Sequence, residues 1–134
     1  MVLVLKTAHY EEIVAHSKDV YPIEACGLLV GLERLDKRIV SEVRRASNVL
    51  DSPSRYQVDP EVELEVLMDA EKRSLELVGI YHSHPYWPAS PSGVDESLAS
   101  FKDVSYAIYS VSEDSFASYT WDGNRFEPEE VEIE

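Results

Sequence analysis

The stretch Val78 to Ser100, VGIYHSHPYWPASPSGVDESLAS, constrains this chain more than any other part of it. Leu77 to Tyr81 form an apolar run ending in a β-branched and an aromatic residue, the composition of a buried strand. His82 and His84 extend that run. Side chains two apart on a strand share a face, so both imidazoles reach one metal ion if the strand persists to Pro85. Pro85 has no N–H to give and ends the ladder there. Beyond the irregular residues Tyr86 to Ser90, Pro91 and Ser92 stand where a helix begins, and Gly93 to Phe101 continue it, with Asp95 in the first turn. A strand end carrying two imidazoles, facing a helix start carrying a carboxylate, supplies three ligands of a tetrahedral zinc site and leaves the fourth position to water.

Structural zinc sites close with four protein ligands and favour thiolates, whereas catalytic sites keep a position open. This chain has one cysteine, so the open kind is expected. A zinc-bound water needs a general base, and a carboxylate elsewhere in the chain is its natural source. Glu24 is the candidate: in YPIEACGLLVG it stands directly ahead of the apolar run Ala25 to Val30, an odd place for a solvent-facing charge.

HSHPYWPASPSGVD, with a glutamate upstream in EACGLLVG, resembles the JAMM motif of the MPN-domain metalloproteases, the zinc isopeptidases that include deubiquitinases and their prokaryotic relatives. Each position of the pattern is filled, by Glu24, His82, His84, Pro85, Pro91, Ser92 and Asp95. The resemblance implies that His82, His84 and Asp95 hold one zinc ion, that Glu24 deprotonates its water, and that Ser92 stabilises the oxyanion. It implies no covalent intermediate. SRYQVD, Ser54 to Asp59, is similar to a segment of the bacterial-type relatives and is expected near the cleft.

At 134 residues the chain has the length of one domain, and residues 1–134 are expected to form a single catalytic unit. With 44% hydrophobic and 28% charged residues it reads as soluble and globular, and its apolar runs are too short to cross a membrane. MVLVLK has no basic lead and no cleavage site, so no signal peptide is expected and the cytoplasm is the expected location. A net charge of −14 repels phosphates, which argues against nucleic acid as a partner. Lys37, Arg38, Arg44 and Arg45 come nearest to a basic patch, but apolar residues alternate with them on a predicted strand.

In chain order, Val2 to Leu5 reads as a strand, and Thr7 as the cap of a helix from Ala8 to Lys18. His9 and His16 on that helix have no third ligand and read as surface or interface residues. Cys26 to Leu32 and Arg38 to Ala46 read as paired strands, with Cys26 as a small buried hydrophobe. Asp59 and Pro60 start a helix whose stripe of Leu64, Leu67, Met68 and Leu75, backed by Val62 and Val66, is expected to be core. Val104 to Val111 reads as a strand, and Ser115 to Trp121 with Arg125 to Ile133 as a hairpin. The acidic tail, Glu127 to Glu134, suits an edge strand or a frayed end. These elements predict an α/β fold, a mixed and curved sheet with helices packed on it. The JAMM resemblance implies the same architecture, layered in the manner of the cytidine deaminases.

The function expected is removal of ubiquitin-like modifiers from target lysines, with a ubiquitin-like protein or its conjugates as partner and an extended tail laid over the metal, a tail that pairing with an edge strand would suit. Tyr86 and Trp87, between the ligands, either brace the metal or form a platform for that tail. One alternative is a peptidase trimming the tail of a sulfur-carrier protein, and another is a non-catalytic MPN scaffold, which has no need of the full ligand set. A zinc deaminase normally needs a Cys-x-x-Cys pair, which the sequence lacks.

Overall fold

The predicted strands pair into one continuous mixed sheet in the computed structural model, which describes all 134 residues. In chain order the elements are β1 (Val2–Leu5), α1 (Thr7–Asp19), β2 (Cys26–Arg34), β3 (Lys37–Ala46), α2 (Pro60–Lys72), β4 (Glu76–His84), α3 (Gly93–Leu98), β5 (Ser105–Ser110), β6 (Ser115–Trp121) and β7 (Phe126–Ile133). The sheet runs β1-β3-β2-β4-β5-β6-β7 and closes when β7 pairs with β1. Three contacts, β1 with β3, β1 with β7 and β4 with β5, are parallel, and the rest are antiparallel.

Both faces of the central strands are covered, which is why β2 and β4 read as continuous apolar runs. Leu28 and Val30 of β2 pack with Ile80 of β4 beneath Val66 and Ala70 of α2. Leu29 turns the other way and packs with Tyr81, Val40 and Tyr109 beneath Ile13 of α1. The alternation slips at Val78: Leu29 stands opposite Gly79 and Val30 opposite Leu77, so Val78 is a bulge that resets which face Ile80, Tyr81 and the histidines occupy. Gly27 on β2 is required by a close approach, because a Cβ there would fall on the Tyr81 ring.

Five expectations need correction. Leu64 and Met68 are exposed, at 60% and 52%, and α2 buries Val66 and Ala70 instead, with Val62 packed beside them. The core face of α2 is therefore carried by its smaller residues. Thr7 lies inside α1, and Lys6 is the N-cap; the Thr7 N–H and Oγ–H both donate to the carbonyl of Glu134, which does the capping from the far end of the chain. The helix after Ser92 ends at Leu98, because the Tyr106 hydroxyl takes the Phe101 N–H and donates to the Phe101 carbonyl, each at 2.9 Å. The acidic tail is no frayed end and no edge of a single neighbour, since β7 pairs with β6 along one half and β1 along the other, each half keeping one unpaired side. His16 is a core residue, 5% exposed, its Nδ1 2.6 Å from the Tyr81 hydroxyl.

The arginines form no open cationic face. Arg44 meets Glu42 and Asp69, Arg45 meets Glu12 and Asp19, and the buried Arg38 guanidinium stands 3.7 Å from Glu129, whose other oxygen accepts from Ser118. No helix is long and apolar enough to cross a membrane.

Candidate metal centre

β4 ends between two neighbours, antiparallel to β2 and parallel to β5, so its last residues emerge at the carboxyl end of a parallel pair. His82 and His84 share a face there, with their Nε2 atoms 3.2 Å apart. Asp95 reaches them from α3. Ser92 caps that helix: its Oγ accepts from the Asp95 N–H at 3.1 Å, and its own N–H donates to Asp95 Oδ2 at 2.9 Å. The carboxylate is thereby aimed so that Oδ1 lies 3.2 Å from His82 Nε2 and Oδ2 lies 3.1 Å from His84 Nε2.

The two imidazole nitrogens stand 3.2 Å apart, and each has its own Asp95 oxygen at a similar distance. Donors about 2.0 Å from a tetrahedral zinc stand roughly 3.3 Å apart, so the spacing between the three side chains suits such an ion. Two imidazoles, a carboxylate and a second carboxylate nearby are also a donor set suited to a divalent cation, and His84 Nδ1, 2.7 Å from the Pro88 carbonyl to which it can only donate, turns the ring so that Nε2 faces the site. Glu24 completes a group of four buried residues whose ligand atoms lie within 4.8 Å of one another and could hold a metal ion.

The four are 0–6% exposed, and for Glu24 burial is the largest influence. It pushes Glu24 up to about 8, with the nearby Asp95 charge adding to the effect. Burial also opposes the Asp95 charge, but the hydrogen bonds of both imidazoles outweigh it and hold that carboxyl well below the usual range. His82 is lowered by burial. Two buried atoms, Glu24 Oε1 and His82 Nδ1, have no hydrogen-bond partner.

All five residues singled out from the sequence, Glu24, His82, His84, Ser92 and Asp95, therefore meet in one place. The Tyr86–Trp87 pair divides: Trp87 packs against His84 at 5.9 Å and its carbonyl accepts from Ser110, whereas Tyr86 is half exposed and meets Tyr21 at 5.7 Å. Cys26 is fully buried and its thiol is pushed up to about 12, by burial and then by Glu24.

Other side chains around the centre had weaker signals. Tyr56 stacks on the His82 ring at 4.3 Å and 18°, in the segment Ser54 to Asp59. It also lines a groove of about 310 Å³ with Leu50, Val58, Ile80, Leu98 and Phe101. Asn48 fixes this loop to the centre, donating to the carbonyls of Glu24 and Arg55 and accepting from the N–H groups of Leu50 and Gln57. Ser83, between the two histidines, accepts from the Ala25 N–H. Its one signal in the sequence is a small hydroxyl inside a buried run.

Residues 6–122 match the family described as prokaryotic homologs of the JAB domain. The chain is similar to a desampylase of Pyrococcus furiosus, 40% identical over 87 residues that make up 65% of this chain and 59% of the relative, so the match spans under two thirds of that protein. It is 35% identical over 109 residues to a CysO-cysteine peptidase of Mycobacterium tuberculosis, covering 81% of this chain and 73% of the relative. A probable TtuB-protein conjugate cleaving protease of Thermus thermophilus is 37% identical over 110 residues, 81% of this chain and 70% of the relative. Among solved structures, a protein of Desulfitobacterium hafniense superposes with a TM-score of 0.91 at 33% identity, over 98% of this chain and 92% of that one.

Proposed function

The chain belongs to the prokaryotic homologs of the JAB domain, and from that premise we propose that it is a zinc-dependent isopeptidase that cleaves ubiquitin-like modifier proteins from target lysines. The observation that carries this reading is the buried cluster of His82, His84 and Asp95 with Glu24, its Oε1 unpartnered, beside it.

His82, His84 and Asp95 are the ligands, and the 134 residues work as one catalytic domain. Zinc, when bound, supplies a Lewis acid that polarises a carbonyl and lowers the pKa of water to about 7. Glu24 is the general base: Oε1, free of any hydrogen bond, takes a proton and later delivers it to the departing amine. A carboxylate raised towards neutrality by burial suits both halves of that transfer. Ser92 accepts from the Asp95 N–H and keeps its own O–H to donate to the carbonyl oxygen as negative charge develops. Trp87 braces His84 through its ring, and Tyr56 covers the face of His82.

The names of the relatives support the substrate class. One is a desampylase and another cleaves protein conjugates of TtuB, which fits a modifier joined to a target protein. The partner is a ubiquitin-like protein or its conjugates, and the setting is the cytoplasm. The relative named CysO-cysteine peptidase favours a second reading, removal of a residue from the tail of a sulfur-carrier protein by the same chemistry.

Intact-mass analysis separates the two. A ubiquitin-like protein joined to a lysine, and the same protein extended by a linear peptide, are each incubated with and without a zinc chelator. Chelator-sensitive cleavage of the lysine-linked form is expected. Preference for the linear form moves the sulfur-carrier reading ahead, and cleavage of neither leaves a non-catalytic scaffold.

A further inference from the structure

Glu24 has no side-chain hydrogen bond to aim its carboxylate, so its position is inherited from its backbone. That backbone is held on two sides. On the loop side the Glu24 N–H donates to the Ser52 carbonyl at 2.9 Å, and the Glu24 carbonyl accepts from Asn48 at 3.1 Å. These bonds fix Glu24 to a loop and give it no register against the histidines.

The other side faces β4. Cys26 stands opposite His82, the last pair of the β2–β4 ladder, so the next residues, Ala25 and Ser83, are opposite each other just beyond it. In a hydrogen-bonded antiparallel pair two such residues exchange both N–H···O=C bonds. Here half of the exchange is kept, the Ser83 N–H donating to the Ala25 carbonyl at 3.0 Å. The other half is rerouted: the Ala25 N–H donates at 2.8 Å to the Ser83 hydroxyl oxygen rather than to a strand carbonyl. Both residues are buried, at 0% and 2% exposure, so no water replaces that acceptor at low cost.

We propose that Ser83 is a positioning residue for the general base. Its hydroxyl stands in for a main-chain carbonyl, ends the regular ladder at Cys26, and sets Glu24 at a fixed offset from the two histidines on either side of it. The inference rests on the reading of Glu24 as the base. It assigns the middle residue of His82-Ser83-His84 a duty towards a different strand, while its neighbours turn to the metal. Threonine keeps the hydroxyl and alanine removes it, so the two substitutions separate the bond from the bulk of the side chain.

The test compares wild type, Ser83→Ala and Ser83→Thr by amide hydrogen exchange, crystal structure, bound zinc and steady-state cleavage. In Ser83→Ala the exchange of the Ala25 N–H is expected to accelerate roughly fivefold or more, the loss of one hydrogen bond, with Cys26 unchanged. The Glu24 carboxylate is expected to shift against His82 and His84. Zinc stoichiometry holds, and kcat falls about 10- to 100-fold at unchanged KM. Ser83→Thr restores all of these. Unaltered Ala25 exchange, an unmoved Glu24, an unchanged kcat or loss of zinc from Ser83→Ala each overturns the assignment. A wild type inert on both substrates sinks the isopeptidase reading instead, and the exchange and the Glu24 position then still decide for or against Ser83.

Discussion

Glu24 and Asp95 are both buried carboxylates, yet their surroundings push them in opposite directions. Asp95 gains two imidazoles and the Ser92 N–H, and stays charged. Glu24 gains no partner and faces the Asp95 charge, so burial raises it to about 8. Such a divergence suits the roles proposed for them, an anionic ligand and a proton carrier. Glu24→Gln, which keeps the size and removes the proton acceptor, is expected to lower kcat by about 10²- to 10⁴-fold while zinc stays bound, as read by metal analysis beside a cleavage assay. Loss of zinc from that variant would make Glu24 a ligand instead. His84→Ala, by contrast, is expected to release the metal, and an unchanged zinc content would overturn the ligand set.

α1 and α2 show how an element's contacts override its pattern. His16 reads as a surface residue on a helix that has other apolar positions to bury. In the fold it lies under α1, hydrogen-bonded to Tyr81, one residue before the first histidine of the centre. Burial lowers it to about 4 from 6.5. The neutral form is the one that fits, so folding disfavours proton uptake: its stability contribution is complete above about pH 6.5 and is lost as pH falls from there towards 4. Urea unfolding at pH 7 and pH 4.5 is expected to show about 2 to 3 kcal/mol of this loss, absent from His16→Gln. On α2, Leu64 and Met68 face solvent while Val66 and Ala70 carry the packing. Leu64→Ser and Met68→Ser are therefore expected to change stability by less than about 0.5 kcal/mol, and Val66→Ala to cost roughly 1 to 3 kcal/mol. Equal costs in chemical denaturation would contradict the observed face.

The two ends of the chain meet. Val2 to Leu5 pair with Glu130 to Ile133, and the Glu134 carbonyl receives the first N–H of α1, so the acidic tail closes the sheet and caps the helix whose other end carries His16. Removal of Glu130 to Glu134 is expected to cost roughly 3 kcal/mol or more, from four lost strand pairs, the buried part of Val131 and the cap. Thermal melts of the shortened chain that match the full one would show closure to be incidental. The closed order leaves no strand without a neighbour, yet β1 covers only Lys37 to Ile39 of β3, so the rest of β3 keeps one unpaired side, and the groove beside Tyr56 is an apolar surface next to the centre. The centre was legible before any fold was known: His82, His84 and Asp95 are 13 residues apart at most, on one strand end and one capped helix, so local periodicity and a turn bring them together. The sequence also marked Glu24, through a family pattern and an acid set against an apolar run. Tertiary structure decided the rest. Which face of α2 is buried, where the tail ends, and that Ser83 and Asn48 fix Glu24 all depend on contacts between residues far apart in the chain, and neither propensity nor period carries information about such partners.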